Sequence, residues 1–126
     1  MKAMDRKLHN FRELKTWQLE MAIAGEVFAL CKNLKTSDLY GILNQIRRSA
    51  VSIPSNIAEG CGRKTNRQLL QFLGIAQGSA YELETQLLLM IDINLASAES
   101  IREVIDMLHE FQRMNAGLIS KLEADT

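Results

Sequence analysis

Imidazole and thiol chemistry in this chain of 126 residues would depend on two histidines, His9 and His109, and two cysteines, Cys31 and Cys61. A di-iron site in a helical bundle requires two Glu-x-x-His motifs and two further inward glutamates, and the sequence contains no Glu-x-x-His motif. The cysteines have neither metal-ligand spacing nor a Cys-x-x-Cys motif, which predicts buried free thiols in a reducing compartment. We therefore predict a protein without metal, cofactor or catalytic site.

A second group of polar residues could take part in acid–base chemistry. Glu59, Glu82 and Glu84 are candidates for paired carboxylates. Nearby hydroxyl and amide side chains favour a different role, which is a set of hydrogen bonds between the second and third helices or across subunits. The predicted polar network consists of Ser55, Asn56, Glu59, Glu82 and Glu84.

Charge is distributed unevenly along the chain, although its formal net charge is zero. Up to Arg67 there are 12 basic and 6 acidic residues, a balance of +6, whereas the remainder has 3 basic and 9 acidic residues, a balance of −6. Such asymmetry can present a basic face to phosphates, or it can make two sides of a subunit complementary. The candidate contacts to RNA or DNA are Arg47, Arg48, Arg63, Lys64 and Arg67.

These residues must be positioned by helices, because the apolar periodicity predicts four helical segments and no strands. The first segment, from about residue 10 to residue 33, carries two neighbouring apolar stripes where burying one face of a bundle needs one. The surplus stripe predicts a subunit interface, although a wide core face is the alternative. The stripes are Phe11, Leu14, Gln18, Met21, Gly25 and Phe28, and Ile23, Val27, Leu30 and Leu34.

The other three segments each carry a single stripe. The second helix has Ser37 or Asp38 as its predicted N-cap and ends at Gly60-Cys61-Gly62, where glycine can adopt the left-handed conformation. The predicted caps of the third and fourth helices are Thr65 or Asn66, and Ser97. The stripes are Leu39, Ile42, Ile46, Ala50, Ile53 and Ile57; then Leu69, Leu73, Ala76, Ala80, Leu83, Leu87 and Met90; and finally Ile101, Val104, Ile105, Leu108, Phe111, Leu118 and Leu122.

The only proline, Pro54, falls inside the second predicted helix. A proline in a helix interior removes one amide donor and clashes with the carbonyl four residues earlier, here that of Ala50. We predict a kink near Ser52, with the apolar stripe continuing on both sides; a helix that restarts with Ser52 as its cap is the alternative. Short connections favour an all-α, antiparallel up-down-up-down four-helix bundle in a single domain of residues 1–126, with residues 1–9 as a flexible arm.

The stretches "QIRRSAVSIPSNIAEGCGR" and "FLGIAQGSAYELETQLLL" carry a resemblance to a known family. They look like the four-helix-bundle proteins encoded in intervening sequences of bacterial 23S ribosomal RNA genes, and "FRELKTWQLEMAIAGEVFALC" and "YGILNQIRRS" fit the same pattern. This family is also similar to the accessory variability determinant of diversity-generating retroelements. The resemblance implies a bundle that assembles into a pentameric ring, and for the retroelement relatives it implies association with nucleic acid.

Two functions remain open at this point. The first is an oligomeric accessory protein that associates with RNA or DNA; the second is a scaffold that binds a protein partner and no nucleic acid, which the zero net charge favours. No apolar run approaches the roughly 20 residues of a membrane span. The charged N-terminus lacks the pattern of a secretory signal. We therefore expect a cytoplasmic bacterial protein without a membrane partner.

Overall fold

The computed structural model describes residues 10–34 and 40–126, and these ranges contain helices and no strand. A short 3-10 helix, Phe11–Glu13, precedes four α-helices, which are α1 (Lys15–Lys32), α2 (Tyr40–Cys61), α3 (Asn66–Asp92) and α4 (Ala98–Ala124). The predicted arm at residues 1–9, the cap at Ser37 or Asp38, and Leu39 lie outside the described residues.

The four helices pack around one apolar core. Each helix contacts the next one along the chain, and α4 also contacts α1, so the four form a closed bundle; the α2–α3 contact is the most extensive. The prediction of an all-α four-helix bundle is therefore confirmed. The core spans all four helices, and its largest side chains include Phe111, Ile23, Ile53 and Leu87.

The predicted stripes of α2 and α3 agree closely with the observed burial. All seven stripe residues of α3 are buried, as are Ile46, Ala50, Ile53 and Ile57 of α2. In α1 the two stripes separate. The buried positions are Thr16, Glu20, Ile23, Val27 and Cys31, whereas Met21, Gly25 and Phe28 of the other stripe are exposed.

The helix ends follow the predicted capping chemistry at two places and depart from it at a third. The hydroxyl of Thr65 accepts a hydrogen bond from the amide of Gln68 at 3.2 Å, and Ser97 accepts one from the amide of Ser100 at 3.1 Å. The prediction of a left-handed glycine at the end of α2 is wrong, because no glycine in the described ranges has a positive φ. The left-handed residue is Asn94, with φ 59°, in the connection between α3 and α4.

Two residues set how α2 lies against its neighbours. The helix is continuous through Pro54, which is buried, with no restart at Ser52. Near its end, Gly60 allows α3 to approach closely, because a Cβ at this position would stand 2.8 Å from Cβ of Phe72 and 3.0 Å from Cδ1 of Leu69. The absence of a side chain at Gly60 is therefore a packing requirement of the α2–α3 contact.

Candidate interaction surfaces

The connection between α2 and α3 and the first turn of α3, which together we call the α2–α3 turn, carry three exposed basic residues, Arg63, Lys64 and Arg67. The guanidinium of Arg63 lies 4.8 Å from the ring centroid of Phe72, and its Nη2 is 3.4 Å from Oε2 of Glu59. The stacking and the ion pair hold Arg63 beside the first turn of α3. Glu59, which is also exposed, offsets part of the positive charge at this turn.

Arg47 and Arg48 lie on α2, about 22 Å from the turn at roughly 1.5 Å per residue. Arg47 is half-buried and Arg48 is exposed. Burial raises the pKa of the Cys31 thiol, and the positive charge of Arg47 offsets part of that rise, so Arg47 lies close to α1. The five candidate nucleic-acid contacts therefore divide into a group at the α2–α3 turn and a pair further along α2.

The residues of the predicted polar network lie in different places. Asn56 donates through Nδ2 to the carbonyl oxygen of Ser52 at 2.8 Å and to its Oγ at 3.0 Å, and Ser52 shares a 3.2 Å hydrogen bond with Ser79 on α3. This chain of hydrogen bonds connects α2 with α3. Ser55 lies beside α1, and Glu82 lines the groove between α2 and α3. Glu59 forms an ion pair with Arg63, which follows the end of α2.

Glu84 faces α4 and takes no part in the α2–α3 contact. Its Oε2 lies 2.9 Å from Nε2 of His109, and its Oε1 accepts a hydrogen bond from Gln112 at 2.8 Å. Partial burial acts to raise the pKa of Glu84, but the hydrogen bonds from Gln112 and His109 outweigh it, and the pKa is lowered. Glu84 therefore stabilises the α3–α4 contact as a carboxylate.

The described ranges contain four buried polar residues, Thr16, Glu20, Ser49 and Asn115, that the sequence analysis did not identify. Asn115 on α4 donates to the carbonyl oxygen of Leu73 at 3.1 Å and to Oε1 of Gln77 at 2.9 Å. Glu20 on α1 is fully buried, its two carboxyl oxygens have no partner among the described residues, and burial raises its pKa to about 8. The spacing of three and four residues that links Thr16, Glu20 and Ile23 is the signal that could have found Glu20.

Two grooves run along the sides of α2. The groove between α1 and α2, which we call the α1–α2 groove, is mostly apolar; it is lined by Trp17, Met21, Ala24, Val51, Pro54, Ser55 and Ala58, and it is adjoined by a depression lined by Phe28, Asn44, Arg47, Arg48, Val51 and Ser52. The groove between α2 and α3 is polar, with Gln45, Arg48, Ser49, Ser52, Glu82 and Gln86 along it. The two sides of α2 therefore offer surfaces of opposite character.

The outer face of α3 is the other large apolar surface. We call it the α3 ridge; its exposed apolar side chains are Ile75, Tyr81, Leu88 and Leu89. Gly74 and Gly78 are also exposed on this helix, and a Cβ added at either position would meet no atom within 4 Å. Each of the four side chains is between 44% and 54% exposed, which leaves the ridge as an uncovered apolar surface.

Within the described ranges, no group of three or more His, Cys, Asp or Glu side chains could hold a metal ion. The same ranges contain no helix that is long and apolar enough to cross a membrane. Cys31 and Cys61 are buried free thiols, and burial raises the pKa of Cys61 to about 11. The described surface thus offers basic, polar and apolar patches on a small all-α bundle.

The fold therefore places this chain among small four-helix-bundle proteins. Residues 12–117 match the model of the 23S rRNA-intervening sequence protein family, and the chain belongs to that family. A solved structure of similar fold is a protein of unknown function from the S23 ribosomal protein family of Bacteroides thetaiotaomicron VPI-5482, with a TM-score of 0.77 and 24% identity over 82% of this chain and 97% of that one. No curated protein matches this chain in sequence.

Proposed function

We propose that this protein is a non-enzymatic, oligomeric accessory protein of the bacterial cytoplasm that associates with RNA or DNA through the α2–α3 turn. The observation that carries the proposal is the exposure of Arg63, Lys64 and Arg67 within five consecutive positions. The turn leads into the N-terminus of α3, where backbone amides and the helix dipole favour anions. We also infer that the family is similar to the accessory variability determinant of diversity-generating retroelements. That resemblance implies association with nucleic acid and supports the same role.

Catalysis has no part in this proposal. The described histidine, His109, is engaged by Glu84, and this pair adjoins Gln112, an amide that supplies no nucleophile. The polar groove between α2 and α3 combines amides, hydroxyls, Arg48 and Glu82 without an imidazole or a thiol. These groups are suited to hydrogen bonding and ion pairing.

The proposal includes an antiparallel bundle with a kinked second helix. Contacts between α2 and α3 support opposite directions, because Ser52 meets Ser79 whereas Gly60, further along α2, meets Phe72, which is earlier on α3. Between α3 and α4, Leu73 meets Asn115 and Glu84 meets His109, again in opposite order. Pro54 supports the kink near Ser52, since it has no amide to donate to Ala50.

Self-assembly into a ring, most simply of about five subunits as the family resemblance implies, is the third component. Apolar side chains exposed on α1 and α3 support it, among them Met21, Phe28 and Tyr81, which are 48%, 42% and 54% exposed. A ring would repeat the basic turn on each subunit, so weak phosphate contacts would combine by avidity when one nucleic acid spans several turns.

A scaffold that binds a protein partner and no nucleic acid is the second candidate. The observation that favours it is the ion pair between Arg63 and Glu59, because it neutralises part of the positive charge of the turn within the protein. The formal net charge of zero points the same way.

Binding to structured RNA and duplex DNA, measured across a range of salt concentrations, separates the two candidates. We expect binding that falls steeply with salt and differs little between sequences of equal length. Changing Arg63, Lys64 and Arg67 together to glutamine should weaken it far more than Arg47→Gln. Arg113→Gln on α4 is a matched control for loss of one exposed charge. If wild-type protein binds neither nucleic acid at low salt, the scaffold function replaces the first.

A further inference from the structure

The α3 ridge is unusually poor in charge for an exposed helix face. Over the 24 positions from Gln68 to Ile91 the sequence has two charged residues, Glu82 and Glu84, and Glu84 is turned toward α4. A helix face that stays in water normally carries many charged side chains. The face from Gly74 to Leu89, about 22 Å long at roughly 1.5 Å per residue, instead has the composition of a covered surface.

The spacing along the ridge is that of a helix which packs against other helices. Gly74, Gly78, Tyr81, Thr85 and Leu88 follow one another at alternating steps of four and three residues, and all five are exposed. This alternation keeps one seam of a helix facing a partner over several turns. The small residues at its first two positions allow a partner backbone to approach closely, as no atom lies within 4 Å of an added Cβ there.

The α1–α2 groove supplies a second surface of the same apolar character. The groove itself is lined by apolar side chains and Ser55. The adjoining depression is more polar and reaches Phe28, so that groove and depression together extend about 16 Å along α1 from Trp17 at roughly 1.5 Å per residue. Met21 and Val51, which line it, are 48% and 47% exposed. A groove between two helices can accept the row of side chains on the face of a third helix.

Charge favours a second copy of this chain as the occupant. Arg47 and Arg48 line the depression that adjoins the groove, and within the described ranges neither of them forms an ion pair. Glu82 is exposed on α3 and borders the α2–α3 groove together with Arg48 of its own subunit, so the ridge itself carries no charged side chain beyond this edge. A ridge that enters the groove of a neighbour would bring the acidic half of one subunit, with a balance of −6, against the basic half of the next, with a balance of +6.

We propose that the α3 ridge of one subunit docks into the α1–α2 groove of the next, so that the protein assembles head to tail. The two surfaces lie on different helices, and the contact is therefore heterologous, which leads to a ring when the rotation closes. This inference rests on the self-assembly in the proposed function and goes further by naming the two faces that meet.

Cysteine cross-linking tests the pairing in the full-length protein. Val51→Cys marks the groove and Tyr81→Cys marks the ridge, and a short bismaleimide tolerates differences of register. The native thiols of Cys31 and Cys61 are buried, and burial raises the pKa of each, so they should react slowly. We expect the double variant to give a ladder of covalent oligomers on a denaturing gel, and each single variant to remain a monomer.

The single variants and one further pair are the controls. Val51→Cys combined with Arg113→Cys, which is exposed on α4, should give no ladder. Cross-linked dimers from a single variant would indicate a two-fold contact and overturn the head-to-tail pairing. An oligomer in sedimentation that gives no ladder from the double variant would overturn the choice of faces while leaving self-assembly intact. A wild-type monomer in sedimentation would overturn self-assembly itself and this inference with it.

Discussion

At the scale of single residues, Glu20 is the least expected feature of the bundle. It lies in the core of α1 with both carboxyl oxygens unpartnered among the described residues, and burial raises its pKa from 4.5 to about 8. An ionised carboxylate in such surroundings would be strongly unfavourable, so the side chain is mostly protonated at pH 7. The protein should accordingly carry slightly more positive charge than its formal net charge of zero.

This burial predicts how stability depends on pH. Because the folded state holds a proton that the unfolded state has released, the contribution of Glu20 to the free energy of unfolding falls as pH rises from about 4.5 to about 8. The loss over this range should be on the order of 4 kcal/mol. Glu20→Gln, which is neutral at all pH values, should remove it.

Urea unfolding of both proteins at several pH values, at one fixed protein concentration, measures the effect. The informative quantity is the difference between wild type and Glu20→Gln, because the lowered pKa of Glu84 gives a slope of opposite sign in both proteins. Parallel pH profiles for the two proteins would show that Glu20 is ionised or solvated in the folded state.

The buried polar residues also mark where sequence reasoning ended. Thr16, Glu20 and Asn115 occupy the same helical spacing as their apolar neighbours, but an apolar stripe is identified from apolar residues, so polar members drop out of it. The sequence places Glu84 either in the α2–α3 contact or between subunits. Its observed partners, His109 and Gln112 on α4, depend on the rotation of α3 about its axis. One sequence does not determine that rotation to within a residue.

At the scale of helices, the α2–α3 contact depends on the missing side chain at Gly60. Gly60→Ala would place a Cβ 2.8 Å from Cβ of Phe72, which belongs to the packed side of α3 and cannot swing away. We expect a loss of about 1–3 kcal/mol in the free energy of unfolding. Gly117→Ala on α4 is the matched control: it meets no atom within 4 Å and should stabilise the protein by about 0.5–1 kcal/mol. Equal effects of the two changes in urea unfolding would contradict the close approach.

Pro54 gives the second prediction at this scale. Pro54→Ala should leave a folded, helical protein, because the core residues on both sides, Ile53 and Ile57, keep their burial and the new amide can bond to the carbonyl of Ala50. Circular dichroism should show helix content close to that of wild type and of the neighbouring control Ser55→Ala. Loss of most of the helix signal in Pro54→Ala alone would indicate that the proline fixes a turn that the chain needs.

The helices themselves were predictable because their core positions are nearly all apolar. In α3 the stripe from Leu69 to Met90 matches the buried set residue for residue, and the caps Thr65 and Ser97 accept the hydrogen bonds that their positions predict. The glycine after α2 was misread, since Gly62 continues helical hydrogen bonding to Ala58 and Glu59 without a left-handed turn. Glycine permits that conformation without requiring it.

At the scale of the whole molecule, the two apolar stripes of the first segment differ in burial: Phe11 and Leu14 of the first stripe pack against the core, whereas its continuation along α1 is exposed. The sequence alone left open which stripe of α1 faces outward. The burial of Ile23 and Val27 and the exposure of Met21 and Phe28 distinguish them. An exposed stripe of this kind on a small protein favours association through apolar contact.

Self-assembly through apolar side chains and nucleic-acid binding through basic side chains should therefore respond differently to salt. Sedimentation equilibrium at micromolar concentration should give about five times the subunit mass of 14.2 kDa. The value should persist at high salt, because burial of Met21 and Phe28 does not depend on charge. Nucleic-acid binding should disappear over the same salt range.

Met21→Asp should lower the oligomer mass, whereas Ser120→Asp, exposed on α4, should leave it unchanged. A monomer that persists at high protein concentration would refute the ring and assign the outer stripe of α1 to some other contact.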